Sequence, residues 1–111
     1  MSQYEPHKWV IVKITLDNGD ILNKVLGSWY GGFAGSDNWR FSSGITKVED
    51  EDVYYLVHNH SGSIYTCYKN LEGMSNYTTG VYNQFVKKTQ VSGVGKLKII
   101  NIKDIVCQQK K

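Results

Sequence analysis

The sequence is poor in cysteine and has no long apolar run. Its two cysteines, Cys67 and Cys107, are too few for a disulfide framework, and they match none of the paired spacings of zinc sites. Both are therefore predicted to be reduced thiols in a reducing compartment. No segment approaches the roughly 20 apolar residues that a membrane span needs, and the start of the chain lacks the pattern of a secretion signal. A soluble protein of the cytoplasm is expected.

No motif in the chain specifies a reaction. Metal-ligand spacings, a nucleophile elbow and a carboxylate pair flanking a histidine are all missing, as are internal repeats. The sequence therefore predicts no cofactor, no metal and no catalytic residue, and it favours a binding protein over an enzyme. With 111 residues the chain is expected to form a single domain over 1–111, since domains commonly hold about 100–200 residues.

Positive charge is concentrated toward the C-terminus. Residues 1–68 hold five basic and eight acidic residues, whereas residues 69–111 hold eight lysines and two acidic residues. The second segment has a net charge of +6 and could meet an anionic ligand or a nucleic acid. For the terminal Lys110 and Lys111, ordinary solvated lysines are an equally good interpretation.

Alternation with a period of two dominates the hydrophobic pattern. In residues 8–16 the even-numbered positions from Val10 to Leu16 are all apolar and predict a core-facing row. The Asn-Gly pair within residues 17–20 predicts a type I′ hairpin turn. Further strands are predicted over residues 21–26, 39–49 with an interruption at Gly44, 53–59, 63–69 and 97–106, where Ile99 and other isoleucines would enter the core.

One helix is predicted over residues 75–88. Tyr77, Val81 and Phe85 recur at helical spacing, and Ser75 or Asn76 can cap the first turn, although Gly80 weakens the helix by about 1 kcal/mol relative to alanine. The predicted fold is α+β and mostly β: a small antiparallel curled sheet, or a partly open barrel, with one helix packed across it.

The stretch HNHSGSIYT, residues 58–66, holds the most suggestive polar residues. His58 and His60 would share one side of a strand that stayed extended to residue 60, as a metal half-site or an acid/base pair requires. Ser61, Gly62 and Ser63 could form an anion-binding cradle of backbone N–H groups and hydroxyls. An ordinary hairpin turn uses the same residues, and both interpretations stay open.

Aromatic side chains are abundant, which fits either ligand stacking or an aromatic loop that folds as a lid over a small barrel. Fourteen of the 111 residues are Phe, Trp or Tyr, and four of the aromatics crowd the glycine-rich stretch 27–39. Aromatic faces stack on nucleobases at about 1–3 kcal/mol per base. Arg40 is the only arginine and suits a phosphate or a purine edge. The free N–H groups at the start of the predicted helix, around Thr78, also favour an anion, although plain N-capping explains them too.

Three segments resemble a family of small phage proteins: WRFSSGITKVE (39–49), VYYLVHNHSGSIYTCYK (53–69) and GMSNYTTGV (73–81). The family is that of viral sponge proteins, which sequester cyclic nucleotide immune signals and so block CBASS-type defence. The likeness spans about residues 38–85 and implies a non-enzymatic homo-oligomer, in the host cytoplasm, that encloses a cyclic di- or trinucleotide. Its implied stacking residues are Trp39, Tyr65 and Tyr77, and its implied phosphate or base-edge contacts are Arg40, His60, Ser61, Ser63 and Thr78.

Three other functions stay open at this point. The aromatic loop 28–41 could bind and inhibit a host protein, because clustered exposed aromatics are typical of interface hot spots. A phosphodiesterase could use His58 and His60. A single-stranded nucleic-acid binder fits the aromatics, but it would need more lysines in one groove.

Overall fold

The structure, a computed structural model, describes residues 3–29, 38–93 and 95–109. Within these ranges the chain forms eight strands, a single 3₁₀ turn at Lys69–Leu71 and two α-helices. The strands are β1 (Gln3–Tyr4), β2 (Lys8–Leu16), β3 (Ile21–Trp29), β4 (Asn38–Phe41), β5 (Ile45–Asp50), β6 (Tyr54–Asn59), β7 (Ile64–Tyr68) and β8 (Gly95–Ile100). The helices are α1 (Asn76–Ser92) and α2 (Ile102–Gln109).

The strands form two four-stranded sheets that are not closed into a barrel. Sheet 1 has the order β1-β7-β6-β5, and sheet 2 has the order β4-β3-β2-β8. All pairs are antiparallel except the parallel pair of β1 and β7. The predicted class, a small and mostly β α+β fold with a helix packed across it, is confirmed.

Sheet 2 is the middle of three layers. On one face Trp9, Ile11 and Val25 pack against sheet 1, and on the other Val12 and Leu26 pack beneath α1. The sequence predicted that the even-numbered residues of β2, starting with Val10, face the core. The odd-numbered residues Trp9 and Ile11, on the other face of the strand, are equally buried. Both rows are apolar in this half of the strand because both faces of the sheet are covered.

Two hairpins use the same type of turn. In the β2–β3 hairpin the N–H of Gly19 donates to the carbonyl of Leu16, and in the β6–β7 hairpin the N–H of Gly62 donates to that of Asn59. Both glycines have a positive φ, 90° and 93°. Each loop is therefore a tight turn followed by a glycine bulge. The first hairpin lies where the sequence predicted it. The two central residues of its turn are Asp17 and Asn18, however, and not the Asn18-Gly19 pair that a type I′ turn would use.

The predicted strand 39–49 is divided between the two sheets. β4 belongs to sheet 2 and β5 to sheet 1, and the chain crosses from one to the other through residues 42–44. The crossing begins at Ser42, whose Oγ accepts the Val25 N–H (2.8 Å) and donates to the Ser43 carbonyl (2.7 Å). The interruption predicted at Gly44 is thus the point where the strand changes sheet.

The predicted helix is confirmed as α1, which Ser75 caps. The Ser75 Oγ accepts the N–H of Thr78 (3.2 Å), and Gly93, with φ 68°, ends the helix by donating its N–H to Thr89. Among the described residues, no helix is both long enough and apolar enough to cross a membrane.

The closing strand predicted over 97–106 is wrong in its second half. β8 ends at Ile100, and the chain continues as α2, in which Ile102, Ile105 and Val106 are buried between the sheets. Ile99 is 38% exposed and does not enter the core. The helix begins where the Asn101 side chain accepts the N–H of Lys103 (2.9 Å), as a capping residue does.

The structure describes the side chain of one of the two cysteines, Cys67. Cys67 is a buried free thiol, and burial raises its pKa far above the ordinary value, which makes it unreactive. The side chain of Cys107 lies outside the described part of the chain.

We expect Gly80→Ala to stabilise the protein. A Cβ at this helical position would meet nothing within 4 Å, so alanine should raise the free energy of unfolding by about 0.5–1 kcal/mol. Thermal unfolding should show a rise in Tm of a few degrees. Gly95→Ala is the matched control with the opposite sign, because its Cβ would lie 2.5 Å from the Thr15 carbonyl oxygen. A lower Tm for Gly80→Ala would contradict the open environment of this residue.

Candidate functional site

A polar cavity of about 350 Å³ lies where the β6–β7 hairpin of sheet 1 meets β4 of sheet 2. Its volume is at the small end of the range of about 300–1,000 Å³ that is usual for ligand pockets. We call it the arginine cavity. Its lining residues are Tyr4, Arg40, Phe41, Ser42, Ser43, Ser61, Ser63 and Tyr65.

Arg40 is the only charged residue in this lining. Residues alternate across β4, so Trp39 and Phe41 pack toward α1 while Arg40 lies on the face turned to sheet 1. Its guanidinium carbon lies 4.8 Å from the centre of the Tyr4 ring, a cation–π contact. This contact holds a permanent positive charge beside the cavity, which therefore favours an anion.

A chain of serine hydroxyls crosses the floor of the cavity. Ser43 Oγ donates to Ser61 Oγ (2.9 Å) and accepts the Ser61 N–H (3.0 Å), and Ser61 Oγ lies 3.2 Å from Ser63 Oγ. That last contact uses one of the two hydroxyl protons of Ser61 and Ser63. The other proton can be donated to a ligand, since each hydroxyl has one donor and two acceptor positions. An arginine beside a free hydroxyl donor is a suitable arrangement for phosphate oxygens.

Tyr65 forms the back of the cavity and cannot serve as a stacking platform. It is 1% exposed, and its ring packs against Tyr4 with centroids 4.9 Å apart. Burial raises the pKa of Tyr65 to about 12, although the nearby Arg40 charge partly offsets this effect. The phenol is therefore neutral at physiological pH and offers its hydroxyl only. The stacking role that the resemblance implied for Tyr65 is wrong.

Trp39 and Tyr77 line a second cavity on the opposite side of sheet 2. It has a volume of about 310 Å³ and lies between β4 and α1. Trp39 already makes edge-to-face contacts with Phe41 (5.9 Å) and Phe85 (5.4 Å), whereas Tyr77 is 45% exposed. We call it the outer cavity, and its lining is Trp39, Tyr77, Val81, Gln84, Phe85 and Lys88.

The eight predicted ligand residues are therefore not brought to one place. Arg40, Ser61, Ser63 and Tyr65 line the arginine cavity, whereas Trp39 and Tyr77 line the outer cavity across the thickness of sheet 2. One ligand held in the arginine cavity of a single chain would not touch the residues of the other cavity.

The remaining two predicted contacts have different surroundings. Thr78 is 1% exposed, and its hydroxyl lies 2.9 Å from Ser75 Oγ, so it belongs to the helix cap and does not reach a ligand. His60 is an exposed turn residue whose backbone N–H donates to the Gly44 carbonyl (2.8 Å). His60 thus lies next to the cavity residue Ser61 without lining the cavity itself.

His58 and His60 do not form a pair on one strand, because β6 ends at Asn59. His58 lies on the outer face of sheet 1, where its Nε2 is 2.7 Å from the Glu49 carboxylate. Lys47 approaches the same carboxylate at 3.7 Å. The sequence interpretation missed this histidine–carboxylate pair, since it depends on the β5–β6 register, which pairs Lys47 with His58 and places Glu49 diagonally across from the histidine. No group of three or more candidate metal ligands occurs among the residues that the structure describes.

The ion pair of Glu49 should make stability depend on pH. The hydrogen bond from His58, helped by the Lys47 charge, lowers the pKa of Glu49 below its usual value. Its contribution is therefore present above about pH 4.5 and is lost as the pH falls through the depressed folded-state value. We expect Glu49→Gln to lose less stability than the native protein between about pH 5 and pH 3 in urea titrations. Glu51→Gln is the exposed control. If the free energy of unfolding depended equally on pH in all three proteins, the ion pair of Glu49 would not be coupled to stability.

Sequence reasoning also missed four residues of the arginine cavity: Tyr4, Phe41, Ser42 and Ser43. Tyr4 reaches it because β1 pairs in parallel with β7, and Ser42 and Ser43 reach it because the chain changes sheet there. No local pattern predicts the pairing of β1 with β7, and the interruption at Gly44 does not by itself indicate that the strand changes sheet. Most of the aromatic loop predicted as a protein-binding patch, residues 30–37, lies outside the described part of the chain.

The chain matches no protein-family model, no curated protein and no solved structure.

Proposed function

We propose that the protein binds a phosphate-bearing nucleotide in the arginine cavity and holds it without cleaving it. The observation that carries this proposal is the placement of Arg40, the only arginine, beside the hydroxyl chain of Ser43, Ser61 and Ser63. The resemblance of residues 38–85 to viral sponge proteins names the ligand class: a cyclic di- or trinucleotide immune signal.

The chemistry of the lining supports binding over turnover. A general acid or base for reaction at neutral pH needs a pKa near 7. The cavity lining consists of serine, tyrosine, phenylalanine and arginine, and the pKa of its buried Tyr65 is raised to about 12. The His58–Glu49 pair belongs to the outer face of sheet 1 and does not line this cavity.

The size of the cavity adds a requirement to the proposal. A volume of about 350 Å³ accepts a phosphate with the adjoining sugar or base. The rest of a cyclic oligonucleotide would extend beyond it, and a second copy of the chain would have to cover that part. A homo-oligomer is therefore part of the proposal, and light scattering with and without ligand measures its size.

The test is a panel of cyclic di- and trinucleotides, with linear mononucleotides alongside, in native gel shifts and calorimetry. Ligand released by heat is then analysed by chromatography. Sequestration predicts submicromolar binding of at least one cyclic member and its recovery unchanged. A cleaved product would reassign the protein as a phosphodiesterase. Absence of binding to every member would refute the proposal.

A further inference from the structure

Three lysines lie together on sheet 2, beyond the part that packs against sheet 1. Lys13 of β2 is the register partner of Lys98 of β8, and Lys96 lies two residues further along the same face, opposite Thr15. Lys96 and Lys98 are exposed and Lys13 is half-buried. We call this surface the lysine face. It is separated from the arginine cavity by the buried row of Ile11 and Val25.

The arrangement is unfavourable for the isolated protein. Like charges directly opposite each other on neighbouring strands destabilise a sheet, and strands lie only about 4.8 Å apart. The ion pairs in the described part of the chain join Glu49 to Lys47 and His58, and Asp50 to Lys69. None of them neutralises the lysine face. An anionic partner would relieve the repulsion.

We propose that the lysine face binds the phosphate backbone of a nucleic acid, as a function separate from the arginine cavity. Besides the lysines, these two cross-strand rows hold Thr15, Asn23 and the exposed Ile21, and the Thr15 hydroxyl and the Asn23 amide N–H can donate to phosphate and sugar oxygens. The two cross-strand rows contain no aromatic side chain on which a base could stack. Binding through this face is therefore expected to be independent of base sequence.

Two neighbouring features define the partner and its footprint. The four acidic residues at 49–52 of a second copy would offer fewer free charges than a nucleic acid, because Glu49 and Asp50 already have cationic partners. The tip of the β2–β3 hairpin carries Asp17 and Asp20, which repel phosphates. The bound backbone therefore lies toward the β8 side of the face.

The experiment compares two double variants with the same change in net charge. Lys96→Gln with Lys98→Gln removes two charges from the lysine face. Lys24→Gln with Lys87→Gln removes two elsewhere, since Lys24 lies on the opposite face of sheet 2 and Lys87 is exposed on α1. The probes are fluorescent single-stranded and duplex DNA of about 20 nucleotides, titrated by anisotropy at several salt concentrations between about 50 and 200 mM.

The three lysines of the face would each contact one phosphate of single-stranded DNA. A plot of the logarithm of the association constant against the logarithm of the salt concentration should then have a slope of about −2. The lysine-face variant should weaken binding at least tenfold at low salt and reduce the slope by more than half, whereas the control keeps its slope. Its Tm should not fall, because a repulsive pair is removed. Its nucleotide binding at the arginine cavity should also be unchanged, which separates this test from the preceding one.

If both double variants weakened DNA binding equally, the proposal would be overturned, because binding would then depend on the net charge of the protein and not on the lysine face. Failure of the native protein to bind either DNA would overturn it as well. Self-association of the native protein in sedimentation velocity, lost only in the lysine-face variant and without DNA binding, would assign the face to a second copy.

Discussion

Replacing Arg40 with glutamine is expected to weaken nucleotide binding about a hundredfold. A guanidinium can make two charge-assisted hydrogen bonds to one phosphate, and each contributes about 1.5–3 kcal/mol. Losing both removes at least 3 kcal/mol, and every 1.4 kcal/mol is a factor of ten in the dissociation constant. Calorimetry with the best ligand of the cyclic nucleotide panel measures the change. Arg40→Lys should lose less, because lysine keeps the charge and lacks the planar fork.

Two comparisons make the Arg40 result specific. Arg40 is exposed and lies in the short edge strand β4, so the variant should unfold at nearly the native temperature. Its contact with Tyr4 is worth only about 0.5–1 kcal/mol at an exposed site. Lys87→Gln removes the same charge from α1, away from the cavity, and should bind normally. Native affinity in Arg40→Gln would place the phosphate elsewhere.

Replacing Trp9 with alanine is expected to remove a large part of the free energy of unfolding. Trp9 is 0% exposed, stacks edge-to-face with Tyr55 at 6.1 Å, and donates its indole N–H to the Tyr68 carbonyl at 2.8 Å. Truncating a buried tryptophan costs about 3–5 kcal/mol, while small domains are stable by only about 5–15 kcal/mol. Urea titration should show a much lower midpoint, or an unfolded variant.

A graded series separates the contributions of the Trp9 side chain. Trp9→Phe keeps an aromatic ring but leaves the Tyr68 carbonyl without its donor, which costs about 1–3 kcal/mol. Val53→Ala is the surface control, since Val53 is 57% exposed and such changes stay within about 0.5 kcal/mol. A native urea midpoint for Trp9→Ala would contradict the position of this residue between the two sheets.

Local signals in the sequence were sufficient for several elements. The helix start at Ser75 depends on one side chain and a backbone N–H three residues later. The β2–β3 hairpin depends on one glycine that adopts a positive φ. The signal for α2 was also local, because Ile102, Ile105 and Val106 have helical spacing and follow Asn101. The segment was predicted as part of the closing strand because the apolar residues before it continue the pattern of β8.

The contents of the candidate sites could be predicted only in part. Arg40 stood out as the only arginine, and Ser61 and Ser63 stood out as hydroxyls on either side of Gly62; the three do share one cavity. Trp39 stood out as an aromatic of the glycine-rich stretch directly before Arg40, yet adjacent residues of a strand project to opposite faces. The sequence order Trp39-Arg40 therefore guaranteed that the two side chains separate once β4 joins a sheet that is covered on both sides.

The sequence by itself determined most of the strands, the capped helix, the single arginine and the excess of C-terminal lysines. Only the tertiary structure decided which of these residues meet. Tyr4 reaches Tyr65, and Lys13 reaches Lys98, through strand pairings between segments about 60 and 85 residues apart. Turn and cap energies extend over a few residues, whereas pairing of distant strands depends on burying a core that the whole chain shares. The cavity and the lysine face are consequences of that shared core.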